Sequence, residues 1–445
     1  MQNSTPNLTE GPIGSRLTKM AVPMMFGMVA IMLFNVADTF FVGQLGPQEL
    51  AAMGYSFPVI FVINSIIFGL GIGATSIISI AIGKGNHNQV QRITTHTLIL
   101  ALAATLALSA IGLATMHPVF SALGAGGNVL PLIEQYVSIW YLGIFFLVVP
   151  MLGNSAIRAT GDTKTPAYIM AFAAMLNIIL DPAFIFGFGP IPALGLQGAA
   201  IATVISWGIT FFASLYVLKY RYDMLDISIP KPPELFASWG KILHVGLPAS
   251  ATNLLFPLSM GLLTAMVATY GDEAVAGFGV AGRIESLAII GVIGMSASLA
   301  PFVGQNFGAK KILRIKKALS FSFKFAMLWG AAMFAILFLF AYPISSLFSS
   351  DPLIIFSSAA YLTIVPVCYG ISAMGAFVSQ SLNAMRRPLE ASAILLLRLA
   401  ILAVPLAWLG STLFSLEGLY AGIAAAHIIT GATAYFYSKK MLPAE

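Results

Sequence analysis

Apolar residues run along this chain in long, almost unbroken blocks separated by short polar turns. The blocks are too continuous for a membrane β-barrel, whose strands alternate over about ten residues. A helix needs roughly 20 apolar residues to cross the hydrocarbon core. Twelve stretches meet that length: 18–43, 52–82, 94–116, 131–157, 166–188, 195–218, 240–270, 275–306, 318–345, 353–384, 389–411 and 416–438. The pattern predicts an all-α polytopic membrane protein with twelve transmembrane helices.

Composition agrees. Of 445 residues, 58% are hydrophobic and 9% charged, against about 25% charged in soluble domains. The start of the chain does not read as a cleavable signal peptide: its first apolar run is too long and lacks a small-residue cleavage site. A single cysteine, Cys368, excludes an internal disulfide and a cysteine-based metal cluster. The net charge of +6 does not mark a nucleic-acid partner, because the basic residues sit in alternate loops. Lys84 and Arg92, Arg158 and Lys164, Lys310 to Lys317, and Arg386 with Arg387 lie on one side. Glu49, Asp272, Glu273, Asp351 and Glu417 lie on the other, with no lysine or arginine. The positive-inside rule then places both termini in the cytoplasm, in a multi-pass protein of the cell (inner) membrane.

The chain also repeats itself. A shift of 225 residues aligns Pro23 with Pro248, Gly46 with Gly271, Gly54 with Gly279, Gly83 with Gly308 and Ala159 with Ala384. These are two six-helix bundles of the same orientation, hence parallel repeats. The expected organisation is a cytoplasmic tail over 1–15, an N-terminal bundle over 16–218, a cytoplasmic linker over 219–239 stiffened by PKPP, and a C-terminal bundle over 240–445. Duplicated bundles of this kind are a transporter architecture, with alternating access around a midplane site.

Asp38 interrupts the first span, where a carboxylate costs several kcal/mol unless something holds it. Asp181 does the same in the fifth span, and Asn177 lies one helical turn before it. Tyr136 in the fourth span and Thr203 in the sixth add a phenol and a hydroxyl to the same half. The repeat supplies a control. Asp38 aligns with Leu263, and the Asn177–Asp181 pair with the apolar run around Ala400 to Val404. The second bundle folds without these acids, so their role is not explained by the fold alone. Desolvated, paired carboxylates exchange protons as a coupled set. With amide and hydroxyl oxygens they equally suit Na⁺. Arg283 and Glu285 read as interface anchors, Arg398 as a snorkelling cation or one paired within the C-terminal half, and His427 as a packed, hydrogen-bonded histidine.

The stretch ADTFFVGQLG (37–46), the turn RATGDTKTP (158–166) and the six-plus-six repeat resemble the multidrug and toxic compound extrusion (MATE) family, specifically its DinF-like prokaryotic branch. The resemblance implies a V-shaped pair of bundles and a secondary antiporter. Such an antiporter exports small amphipathic, often cationic drugs or metabolites in exchange for H⁺ or Na⁺. It implies ion coupling at Asp38, Asn177, Asp181, Thr203 and Tyr136, with Asp38, Asn177, Asp181 and Thr203 as the Na⁺ ligands if Na⁺ is used. It further implies a drug-lining role for Asn154 and a hinge at Pro23, where a proline frees a backbone carbonyl. No organic cofactor is expected, nor any partner beyond substrate and membrane lipid; the chain is read as a monomer. The runner-up is a flippase for lipids or lipid-linked sugars, disfavoured because Arg283 and Arg398 are the only cations available to line a cavity. An enzyme is disfavoured because His87, His96, His117, His244 and His427 are scattered.

Overall fold

In a computed structural model, residues 7–441 are described and almost all of them are helical. The first half contains α1 (Ile13–Gly43), α2 (Pro47–Gly83), α3 (His87–Ala122), α4 (Val129–Ala159), α5 (Lys164–Ile185) and α6 (Leu196–Tyr216), the last running into a π-helical turn, Val217–Arg221. The second half contains α7 (Pro232–Ala268), α8 (Asp272–Ala288), α9 (Ile290–Gly308), α10 (Ile312–Ser346), α11 (Pro352–Ile364), α12 (Tyr369–Ala384), α13 (Pro388–Leu396) and α14 (Val404–Met441). A 3₁₀ turn, Val365–Cys368, joins α11 to α12, and a π-helical turn, Leu397–Ala403, joins α13 to α14.

Ten helical runs are long and apolar enough to span a membrane, and the pair α8–α9, bent by 46°, makes an eleventh. The run Pro388–Met441 is 54 residues long, about 80 Å at 1.5 Å per residue and far more than one bilayer. It breaks at Phe414 and Ser415, where Ser415 takes φ 54 and ψ −139. The chain doubles back there: a methyl on Gly410 would overlap the Gly418 carbonyl, and one on Gly422 the Leu406 carbonyl. This run is therefore two spans, which makes twelve among the described residues.

The duplication persists in backbone conformation. Gly46 (φ 151), Gly85 (φ 72) and Gly161 (φ 94) sit in the turns before α2, α3 and α5. Their counterparts 225 residues on are Gly271 (φ 108), Lys310 (φ 59) and Arg386 (φ 64). At two of the three turns a long side chain holds a positive φ that costs roughly 1 kcal/mol relative to glycine. The turn geometry is thus common to both halves even where the residue is not.

Two compact units form, Pro23–Ser250 and Leu8–Val22 together with the chain from Ala251 onward. These boundaries differ from the expected 16–218 and 240–445. In the first unit the early turns of α7 pack on α2, where methyls on Gly69 and Gly73 would strike Ser250 and the Ile242 carbonyl. Small residues permit that backbone approach. In the second unit Leu17 and Met20 of α1 are buried with Phe302 and Phe377. Asn306 Nδ2 donates to the Leu8 carbonyl (3.1 Å). The break in each leading helix falls at Pro23 and two residues after its repeat partner, Pro248. Of the tail expected over 1–15, residues 1–6 lie outside the described residues, as do the last four residues of the expected C-terminal bundle. The expected linker is partly helix: α7 begins at Pro232, because proline suits a first helical turn. Trp239 Nε1 then donates to the His96 carbonyl (3.0 Å) and Arg92 pairs with Glu234 (2.8 Å).

The RATGDTKTP turn has a clear structural task. Asp162 Oδ1 accepts the backbone N–H groups of Lys164 (2.8 Å) and Thr165 (3.1 Å), and Oδ2 accepts the Thr165 hydroxyl (2.8 Å) and a short bond from Tyr222. Burial pushes the carboxyl up, but the hydrogen bonds from Tyr222, Thr165 and Lys164 outweigh it and hold Asp162 below the usual carboxylate range. Burial and Asp162 push the Tyr222 phenol up to about 12. A depressed carboxyl contributes stability that is present above its unfolded pKa, 3.8, and is lost as pH falls through the lower folded value. We expect Asp162→Asn to destabilise the protein by about 1–2 kcal/mol at neutral pH, in line with the loss of a helix-start acceptor. The difference in melting temperature from wild type should shrink as pH falls below 4. A pH-independent difference would exclude the carboxylate as its source.

Candidate ion site in the N-terminal unit

Four helices of the first unit carry the acids and their neighbours inward. Asp38 of α1, Tyr136 of α4, Asn177 and Asp181 of α5 and Thr203 of α6 are all buried. Close packing sets their spacing. A methyl on Gly143 of α4 would overlap Val204 of α6, and one on Gly198 of α6 would overlap the Phe184 carbonyl of α5. The α5–α6 connection is tied by Leu194 N–H to the Phe184 carbonyl (3.0 Å) and Gly195 N–H to the Ile185 carbonyl (3.1 Å). One turn beyond Tyr136 and Thr203, Trp140 and Trp207 pack edge to face at 5.9 Å. Phe41 of α1 meets Phe186 beside the end of α5 at 6.5 Å, three residues past Asp38 and five past Asp181.

Within this frame Asn177 Nδ2 donates to Thr203 Oγ1 (3.1 Å). That bond orients the amide and leaves its oxygen free. Asp38 Oδ1, Asn177 Oδ1 and both Asp181 carboxylate oxygens are buried without a hydrogen-bond partner. Asp181 lies within the field of Asp38, and the Tyr136 hydroxyl within the field of both acids. Buried polar atoms are nearly always paired, and unpaired ones call for an explanation. Four orphaned oxygens, three of them carboxylate, form a cluster that a proton or a small hard cation would satisfy. Among the described residues no group of three or more His, Cys, Asp or Glu side chains is placed to hold a metal. The oxygen set accordingly suits a monovalent cation better than a transition metal.

Asn154 is not part of this cluster. It is buried in α4 with its Oδ1 unpartnered, but it lies 18 residues from Tyr136, about 27 Å along the helix. Pro23 lies inside α1, 15 residues before Asp38 and roughly 22 Å away.

The second unit holds a polar cluster that sequence reasoning did not assemble. Tyr361 Oη donates to Glu285 Oε2 (2.6 Å), and Cys368 Sγ lies 3.5 Å from His427 Nδ1. Arg398 and Tyr369 lie within the electrostatic reach of Glu285. Glu285 therefore faces inward rather than anchoring an interface, and Arg398 has its company within the C-terminal half. The available signal was weak: one acid, one arginine and one histidine in three different spans.

A duplicated twelve-span helical protein with an acid cluster confined to one repeat is a membrane transporter of the two-bundle kind. The MatE family model matches residues 23–183 and again 248–409, two copies starting 225 residues apart, in step with the sequence repeat. The chain belongs to this family, whose members are transporters and not enzymes. It is 39% identical to the FAD transporter of Shewanella oneidensis over 434 residues, 98% of this chain and 96% of that one. It is 26% identical over 433 residues, 97% and 96% of the two chains, to the probable multidrug resistance protein YpnP of Bacillus subtilis. Its fold resembles the crystal structure of a D35N mutant of the Vibrio cholerae MATE transporter VcmN, with a TM-score of 0.92, 30% identity and coverage of 99% and 98%.

If the two acids served the fold, their removal would weaken it. Their orphaned oxygens indicate the opposite. Asp181→Asn is expected to leave the melting temperature in detergent unchanged or raise it. A loss of more than about 2 kcal/mol, the cost of breaking a satisfied buried bond, would assign Asp181 a structural role.

Proposed function

We propose that this protein is an ion-coupled exporter that moves small amphipathic compounds out of the cell in exchange for H⁺ or Na⁺. Asp38 and Asp181 form the coupling site. The reading rests on one observation: two buried, mutually interacting carboxylates with unpartnered oxygens in the first repeat, where the second repeat carries apolar residues. Occupied by a cation, the cluster is neutralised and satisfied. Emptied, it exposes charge that favours a different packing of α1 and α5. A ligand shifts such an equilibrium only through its different affinity for the two states, and a charge buried in a low-dielectric site supplies a large difference. One charge crossing 100 mV adds about 2.3 kcal/mol of drive. The protein acts as a monomer in the inner membrane with both termini cytoplasmic, as the basic loops require. Pro23 is the point about which α1 bends.

Two substrate classes stand behind this reading. The relative named as an FAD transporter, at 39% identity over nearly the whole chain, favours an aromatic nucleotide such as FAD. The relatives named for multidrug resistance favour aromatic cations.

Proteoliposomes test both. FAD and the cation ethidium would be followed under a pH gradient alone and a Na⁺ gradient alone, with wild type and Asp38→Asn. One gradient should drive transport in wild type. Asp38→Asn should lose at least about 100-fold of that rate while inserting normally. Equal gradient-driven transport by the two proteins would remove Asp38 from the coupling site. Asp181→Asn is expected to change the ion dependence and leave the preference between FAD and ethidium intact. A changed preference with an unchanged ion profile would count against its assignment.

A further inference from the structure

Three irregularities of the second unit fall around one group of polar side chains. The span α8–α9 is broken at Ile289, where the Ala288 carbonyl is taken by Trp329 Nε1 (2.8 Å) and Trp329 packs on Gly291. The 3₁₀ turn Val365–Cys368 interrupts α11–α12 beside Tyr361 and Tyr369. The π-helical turn Leu397–Ala403 carries Arg398, and Ser259 Oγ donates to its Leu399 carbonyl (3.2 Å). Glu285 stands one turn before the first break, Tyr361 and Tyr369 flank the second, and Arg398 sits in the third. π-Helical turns recur at functional sites, and broken membrane helices recur where a ligand is bound.

The unpartnered atoms of this cluster differ in kind from those of the ion site. Around Asp38 and Asp181 they are carboxylate and amide oxygens that accept. Here they are Arg398 Nε and the Tyr369 hydroxyl, both able to donate. Glu285 does not close the arginine: its Oε2 takes the Tyr361 hydroxyl, and among the described residues no ion pair within 4 Å involves Arg398. Arg398 lies ten residues into its apolar run, about 15 Å from the start, where an unpaired guanidinium is costly. A planar donor fork and a free phenol match an oxyanion.

We propose that Arg398 and Tyr369 bind the phosphate or carboxylate group of the exported compound, and that the second unit thereby selects for anionic substrates. This deepens the export reading and rests on it. The two repeats then divide the work: the first presents acceptors to the coupling cation, and the second presents donors to the substrate. Glu285, held by Tyr361, supplies a carboxylate that the substrate's oxyanion replaces in the field of Arg398.

Riboflavin, FMN and FAD share one ring system and differ in phosphate, so they isolate the proposed contact. Binding would be followed by flavin fluorescence with the protein in phosphatidylcholine nanodiscs, for wild type, Arg398→Gln, Arg398→Lys and Tyr369→Phe. Wild type should bind FMN or FAD more tightly than riboflavin. Arg398→Gln should lose at least tenfold for the phosphorylated flavins and leave riboflavin unchanged. Arg398→Lys should restore part of the loss, and Tyr369→Phe should reproduce a smaller one. Equal affinity of wild type for all three flavins, or equal losses for all three in Arg398→Gln, would overturn the proposal. So would phosphatidylglycerol in the nanodisc displacing FMN through Arg398, which would give the site to a lipid headgroup. Because binding is read without a gradient, failure here leaves coupling through Asp38 standing. Loss of gradient-driven transport in wild type would instead remove the export reading.

Discussion

A carboxylate in hydrocarbon must be neutralised, paired or solvated, and the N-terminal unit does none of these completely for Asp38 and Asp181. Both are buried beside each other and beside Tyr136, with oxygens left unpartnered. The rest of that unit holds this cost in place. Gly143 and Gly198 let α4, α5 and α6 approach, the Trp140–Trp207 contact sets their spacing, and the Asn177–Thr203 bond aims one more oxygen at the acids. The site is rigid in its walls and unsatisfied at its centre, which is the condition under which a cation binds and its departure changes the structure.

Duplication explains how such a site can be kept. The two halves share turn geometry down to the positive φ of Lys310 and Arg386, where the first half has glycine. Their lining side chains diverge. The first half carries acids and an amide. The second carries Glu285, Arg398 and two tyrosines at three helix irregularities. One backbone plan thus supports two chemically opposite sites, because function lies in the side chains placed on a fold and not in the fold itself.

Much of this was legible in the chain. Twelve spans follow from apolar length, and the 225-residue repeat reappears as two matches to one family model. Asp38, Asn177 and Asp181 stand out because a charge or amide in a long apolar run is conspicuous. Asn154 also stands out, but lies far along α4 from the acids. What stayed hidden was set by tertiary packing. The bend at Ile289 has no proline to announce it and follows from Trp329 taking a carbonyl. The exchange of leading turns between units at Pro23 and Ser250 leaves no local signal. The Glu285–Tyr361–Arg398 cluster joins residues more than 30 positions apart, and two phenols among many aromatics are unremarkable until a structure places them together.

The central claim is that ion and substrate movements are coupled through Asp38, and reversal of the driving force tests it most directly. Proteoliposomes loaded with FAD, or with ethidium, would be diluted into substrate-free buffer with no ion gradient imposed, while lumenal pH and Na⁺ are recorded. The account predicts that substrate leaving the vesicle draws H⁺ or Na⁺ inward in wild type, and that Asp38→Asn shows no ion uptake. Substrate efflux from wild type with no accompanying ion movement, or with ions leaving in the same direction, would contradict it.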